Sequence, residues 1–252
     1  MAHAQHRTAL SGPALIRLLA RLTDVDVRES AQPLSDRLSQ WLSWTDAITL
    51  STALTASPPA LASSGSRIGP ADADGMCSRV RTALAKAIAS TCAPEPRTGA
   101  LGRQPVQGTA VAAADYADFR QRYVLMQDRM ELEIGGLRGR LRRVLAAATP
   151  DLARLAVLDA SMEQALGARE RTLLGTVPTL LGPHFERLRA AAEAGGAAEA
   201  TERQDGASAA PHPTPSRAWL EAFRKDMQSV LLAELDVRFQ PVDGLLAALR
   251  SC

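Results

Sequence analysis

Histidine, cysteine, lysine and aromatic side chains are all scarce in this chain, and each scarcity closes off a chemistry. Of the four histidines, His3 and His6 lie in the N-terminal tail, His212 lies in an Ala/Gly/Pro-rich stretch, and only His184 falls in an expected helix. A histidine-centred acid–base site is therefore not expected; Glu186, two positions on, faces elsewhere because helical residues at i and i+2 are not neighbours. The three cysteines, Cys77, Cys92 and Cys252, are odd in number and form no C-x-x-C pair. That excludes a disulfide framework and a zinc site, and it fits a reduced, cytoplasmic setting.

Aromatic residues make up 4% of the chain, and windows rich in β-branched residues are almost absent, so strands have little to be built from. The expected fold class is all-α. No stretch approaches the roughly 18 apolar residues of a membrane span, and the apolar run at 9–20 is broken by Gly12, Pro13 and Arg17, unlike the centre of a signal peptide. Phosphate-cradling Gly-x-x-x-x-Gly-Lys-Ser/Thr, nucleophile-elbow Gly-x-Ser-x-Gly and zinc-binding His-Glu-x-x-His motifs are missing as well. No paired acidic motif stands out for metal-assisted hydrolysis. No catalytic residue, metal ligand or cofactor is expected, and the chain reads as a non-enzyme.

What is abundant is helical periodicity. Within 115–149, Tyr116, Phe119, Tyr123, Met126, Met130, Ile134, Leu137, Leu141, Val144 and Ala148 recur at three- and four-residue steps, which predicts one long helix with a single apolar seam. Thr149-Pro150-Asp151 then supplies a cap, a first-turn proline and an acid suited to the helix dipole. The helix that follows carries Leu152, Leu155, Leu158, Met162, Leu166, Leu173 and Val177, and so short a junction folds it back as a long antiparallel, coiled-coil-like hairpin. Pro178 and Gly182-Pro183 are expected to interrupt the returning limb.

The expected organisation is an N-terminal helical module at 1–59, a linker at 60–75, a helix at 76–92, a linker at 93–110, the hairpin at 111–194, a disordered linker at 195–215 and C-terminal helices at 216–252. In the N-terminal module a single helix from Pro33 to Ser57 would set Trp41 on a core face with Leu34, Leu38 and Ile48, leaving Trp44 at its edge. In the C-terminal part, Ser216 caps a helix with Trp219, Phe223, Met227 and Leu231 on one face, and Pro241 opens a short last helix. A helix so apolar on one side must dock. Trp219, Phe223, Met227 and Leu231 are thus candidate partner-interface residues, with the hairpin and the N-terminal module as the other surfaces they could meet.

Of 29 basic residues only Lys86 and Lys225 are lysines, and the net charge is +2, so contact with nucleic acid would need a local cluster. The best one is Arg138, Arg140, Arg142 and Arg143, with no acid between Ile134 and Asp151. It could contact DNA phosphates or an acidic partner; acids early and bases late also suit the helix dipole with no ligand at all. Gly135, Gly136 and Gly139 sit mid-helix at a cost of about 1 kcal/mol each relative to alanine; they mark either a hinge or, as the favoured reading, close approach of another helix.

The block Ala14-Leu-Ile-Arg-Leu-Leu-Ala-Arg-Leu-Thr-Asp-Val-Asp-Val27, with Leu34-Ser-Asp-Arg-Leu-Ser-Gln-Trp-Leu-Ser-Trp-Thr-Asp-Ala-Ile48, resembles a proteobacterial family of unknown function. Phe119-Arg-Gln-Arg-Tyr123, Thr176-Val-Pro-Thr-Leu-Leu181 with Phe185-Glu-Arg-Leu188, and Trp219-Leu-Glu-Ala-Phe-Arg-Lys-Asp-Met-Gln228 with Leu231-Leu-Ala-Glu-Leu235 fit it too. That family is similar to the ZorF component of type III Zorya anti-phage defence. The resemblance implies a cytoplasmic protein that associates with a ZorG-like protein and acts indirectly with a ZorA/ZorB-type motor related to MotA/MotB; contact with phage DNA is what the arginine cluster, not the resemblance, would add. It implies no catalytic residue and no membrane insertion, and it is compatible with a homo-oligomer. The alternative is a purely structural helical adaptor with no nucleic-acid contact.

Overall fold

A computed structural model describes residues 13–24, 32–55, 69–94, 115–202 and 215–251. The remaining residues, including most of the expected linkers, lie outside the described part. The described residues are all-α, in the order α1 (Ala14–Thr23), α2 (Leu34–Trp41), α3 (Trp44–Thr55), α4 (Pro70–Cys92), α5 (Tyr116–Ala146), α6 (Pro150–Leu174), α7 (Val177–Glu202) and α8 (Pro215–Arg250). None of these helices is long and apolar enough to cross a membrane.

The hairpin forms as the spacing predicts. Asp115 accepts the Ala117 N–H at 3.0 Å to open α5. Thr149 Oγ1 accepts the Leu152 N–H at 3.3 Å to open α6, so each helix start has a side chain satisfying an otherwise orphan donor. Ion pairs from Arg138 to Asp159 and from Arg171 to Glu131 fix the limbs antiparallel. The returning limb breaks at Gly175 and Thr176, where the Gly175 N–H still reaches Arg171 O at 2.8 Å, rather than at Pro178 or Pro183. Pro178 lies in the first turn of α7, where a missing N–H costs nothing, and its carbonyl accepts the Tyr116 hydroxyl. Pro183 is carried inside α7.

α8 is the axis of the fold. It packs against α1, α4, α5, α6 and α7, and its apolar face meets an aromatic cluster in which Phe223 lies 5.2 Å from Phe119 and 5.0 Å from Phe185, ring centre to ring centre. Trp219 adds an edge contact to Phe185 at 5.1 Å. α8 runs parallel to α5, because Phe223 and Glu234 meet Phe119 and Tyr123 in the same order. α4 runs against it, since Arg250 pairs with Asp74 and Arg81 with Asp243. α1 closes one side with Leu15, Leu19 and Leu22 buried, and Arg187 of α7 donates to Leu22 O.

Four boundaries depart from expectation. α7 continues to Glu202, inside the stretch expected to be a disordered linker from 195, because the Ala- and Glu-rich sequence there is a good helix former. The tail is one continuous helix through Pro241, because Phe239 and Val242 are 1% and 0% exposed and their burial outweighs the roughly 3 kcal/mol of an interior proline. α4 begins at Pro70, inside the expected linker, where the Gly69 N–H donates to Asp72 at 3.3 Å. The expected single helix at 33–57 is two: Ser43 Oγ accepts the Asp46 N–H at 3.1 Å while the Ser43 N–H donates to the Asp46 carboxylate at 2.9 Å. This reciprocal capping box starts a new helix and takes Trp41 off the Ile48 face. Trp41 is half-buried under the guanidinium of Arg169, 4.7 Å from the ring centre, whereas Ile48 and Trp44 are exposed.

Burial has a measurable electrostatic consequence. Desolvation pushes the Cys92 thiol from 9.0 to about 11 and the Tyr116 phenol from 10.0 to about 12. An acid whose folded pKa is raised supports the fold below its unfolded pKa and loses that support as pH climbs to the folded value. Stability is therefore expected to fall as pH rises from about 9 toward 11, read as the urea midpoint at each pH, and to fall less in Cys92→Ala. Equal falls in the two proteins would acquit the thiol.

Candidate functional site

Where α5, α6 and α8 meet, one buried polar network sits in the apolar core. Glu234, 0% exposed, accepts the Tyr123 hydroxyl at 2.7 Å, Gln127 Nε2 at 3.0 and 3.1 Å, and Arg238 Nε at 2.9 Å. Gln127 Nε2 also donates to Leu174 O at 2.9 Å, so an unpaired carbonyl at the end of α6 finds its partner on α5. Burial and the Glu234 carboxylate drive the Tyr123 phenol far above its ordinary pKa, which keeps it a permanent donor. The sequence signal for this network is an i, i+4 acid–base pair, Glu234 and Arg238, set among Val230, Leu231, Leu235 and Phe239.

Further along the hairpin an ionic ladder ties α5 to α6. Arg138 donates to Asp159 at 2.6 and 2.8 Å, Arg142 Nε lies 3.3 Å from Asp159, and Arg142 also pairs with Glu163. Arg138 and Arg142 side chains are 12% and 18% exposed. Half of the expected arginine cluster is therefore spent inside the protein. Arg140 and Arg143 leave on the other side of α5, so the four do not form one patch; at 100° per residue, alternate positions diverge by about 160°. Trp219, Phe223, Met227 and Leu231 are not an exposed interface either. They are 8%, 0%, 1% and 0% exposed, because α8 is the helix on which the others pack. His184 is structural, its Nε2 2.9 Å from Asp226 and its ring against Phe223.

Between the ladder and the Glu131–Arg171 pair the limbs part. Gly135 and Gly167 line this gap, over a floor of Met130, Ile134, Arg238 and Pro241, and it encloses about 350 Å³. A Cβ at Gly135, Gly139 or Gly167 would meet nothing within 4 Å. Close helix packing, the expected reason for the mid-helix glycines, is thus overturned: the backbone there faces open space.

A second groove of about 350 Å³ adjoins the gap, walled by Leu155, Leu158, Met162 and Leu166 of α6 and by Pro241 of α8. Those four apolar side chains stay half-buried although their spacing is that of a core stripe. Asp159, Glu163 and Glu170 stand along the groove with Arg138, and because Arg138 and Arg142 pair with the first two, the apolar floor has a charged rim of both signs. Such a floor can seat a helix or strap of another chain; no group of three or more His, Cys, Asp or Glu among the described residues is placed to hold a metal.

A family model described as Protein of unknown function (DUF3348) matches residues 1–251. The chain belongs to the DUF3348 family. No curated protein and no solved structure matches it. The DUF3348 match spans the aromatic cluster, the polar network, the ionic ladder and the α6 groove alike.

Proposed function

We propose that this DUF3348 protein is a non-enzymatic, cytoplasmic helical adaptor that binds a partner protein in the α6 groove, as a component of a Zorya-type anti-phage assembly containing a ZorG-like protein and a ZorA/ZorB-type motor. The observation that carries the adaptor reading is the half-buried stripe of Leu155, Leu158, Met162 and Leu166 beside Pro241. Apolar surface of this kind, rimmed by charge and only half covered by the described helices, is what protein–protein contact uses. The defence setting rests on the sequence blocks that resemble ZorF. DNA contact is the weaker element, because Arg138 and Arg142 are already neutralised by Asp159 and Glu163, and a second reading, an adaptor with no nucleic-acid contact, gains from the same pairs.

The test is co-purification of the tagged full chain with a ZorG-like protein, sought first among the products of the neighbouring genes. Leu158→Glu/Leu166→Glu is expected to cut the recovered partner at least about tenfold, the scale of losing a central apolar anchor, while leaving helicity and the melting midpoint near wild type. Undiminished recovery by the double variant would remove the groove from the interface. No recovery by the unaltered chain would remove the partner. For DNA, binding that stays unmeasurable at low salt, with and without the partner, would leave the protein-only adaptor.

A further inference from the structure

On the side of α5 away from the core, Leu125 and Leu132 are 59% and 78% exposed. Leu132 shares that side with Asp128, Gly136, Gly139 and Arg143, all within a sector of about 80° at 100° per residue. Leu132 is the most exposed aliphatic side chain of the described residues, and the glycines beside it offer bare backbone: a Cβ at Gly139 would touch nothing, and one at Gly136 would reach only Arg140 Nη1, at 3.7 Å. Neither Asp128 nor Arg143 has an ion-pair partner among the described residues.

These residues have an order that a solvated face does not require. Asp128 and Arg143 stand equally far on either side of the Gly135-Gly136 pair, and so do Leu132 and Gly139. A helix with acid before a glycine centre and base after it is complementary to itself when turned end for end. We infer that the outer face of α5 is the docking surface for a second copy of this chain, crossing antiparallel at Gly135 and Gly136. In that pairing Asp128 of each copy meets Arg143 of the other, the helix dipoles oppose, and each Leu132 lies over the bare backbone at Gly139, next to the gap lined by Gly135 and Gly167. The contact is isologous and closes at two copies. Gly136 and Gly139, beside which the described residues place no more than the end of the Arg140 side chain, acquire a reason, since glycine lets two helix backbones approach closely.

A contact of a few helical turns buries less than the roughly 1,200–2,000 Å² of a stable interface, so the expected state is a reversible dimer in the micromolar range. Sedimentation velocity of the full chain across about 1–500 μM reads it directly. Leu132→Glu is expected to raise the dissociation constant at least about tenfold, with an unchanged melting midpoint because the side chain is exposed. Asp128→Arg, which sets two cations together, is expected to weaken the dimer similarly, and Asp128→Arg/Arg143→Asp to restore it to within about threefold. Gly139→Leu, which has room to fold, should abolish it. A chain monomeric at every concentration, a dimer indifferent to Leu132→Glu, or a charge swap that restores nothing would each overturn the inference. So would a monomer whose Leu132 is needed only for recovery of another protein. The α6 groove lies on a different helix, so its own test stands or falls separately.

Discussion

Arg238→Met is expected to destabilise the protein by about 3–5 kcal/mol, the cost of removing one member of a buried ion pair. Glu234 is wholly buried, and Arg238, with a side chain 7% exposed, supplies its only cation among the described residues, at 2.8 Å. Methionine keeps the stem's packing but leaves a carboxylate in the core with only the neutral donors Tyr123 and Gln127. The informative measurement is a double-variant cycle from chemical denaturation. Glu234→Gln in the same chain neutralises the stranded charge while an amide oxygen can still accept from Tyr123, so the double variant should be more stable than Arg238→Met alone by about 1–2 kcal/mol. A loss below about 1 kcal/mol in Arg238→Met, or strict additivity in the cycle, would mean that water reaches the pair and screens it.

Phe223→Ala should be as severe, at about 3–5 kcal/mol, which for a chain of this length lowers the melting midpoint by about 6–20 °C. The ring is fully buried and touches Tyr116, Phe119, His184 and Phe185, so truncation leaves a cavity walled by three helices that cannot all collapse into it. The same variant separates two meanings of an apolar stripe. Were Phe223 an interface residue, alanine would spare the melting midpoint and abolish partner recovery. Buried as it is, it should lower the midpoint first, and partner recovery below the melt should survive. Its contrast with Leu158→Glu/Leu166→Glu, expected to act the other way round, locates the exposed apolar surface on α6 rather than on α8.

Much of the fold was legible because its determinants are local. Three- and four-residue spacing from Tyr116 to Val144, the Thr149-Pro150-Asp151 start and the scarcity of strand formers are read within a few turns of chain, and the structure repeats them. Even the split between α2 and α3 had a local sign, Ser43 and Asp46 at capping-box spacing, which the continuous apolar pattern around Trp41 obscured. The functional residues were less legible. Arg138 and Arg142 look like free cations until Asp159 and Glu163, 21 residues on, are brought opposite them by the hairpin. Trp219, Phe223, Met227 and Leu231 look like a face seeking a partner until α8 proves to be the helix that five others cover.

The sequence by itself determined the helices, the hairpin and the poverty of catalytic side chains, since propensity, capping and turn chemistry act over neighbouring residues. Only the tertiary structure decided which apolar stripes are core and which charges are spent. Burial and pairing depend on what distant segments place opposite a residue, and a helix carries the same spacing of leucines whether its neighbour is its own chain or another. Hence Leu155, Leu158, Met162 and Leu166, with the spacing of a core, line an open groove, and Gly135, Gly136 and Gly139, with the composition of a tight crossing, have no described helix packed against them.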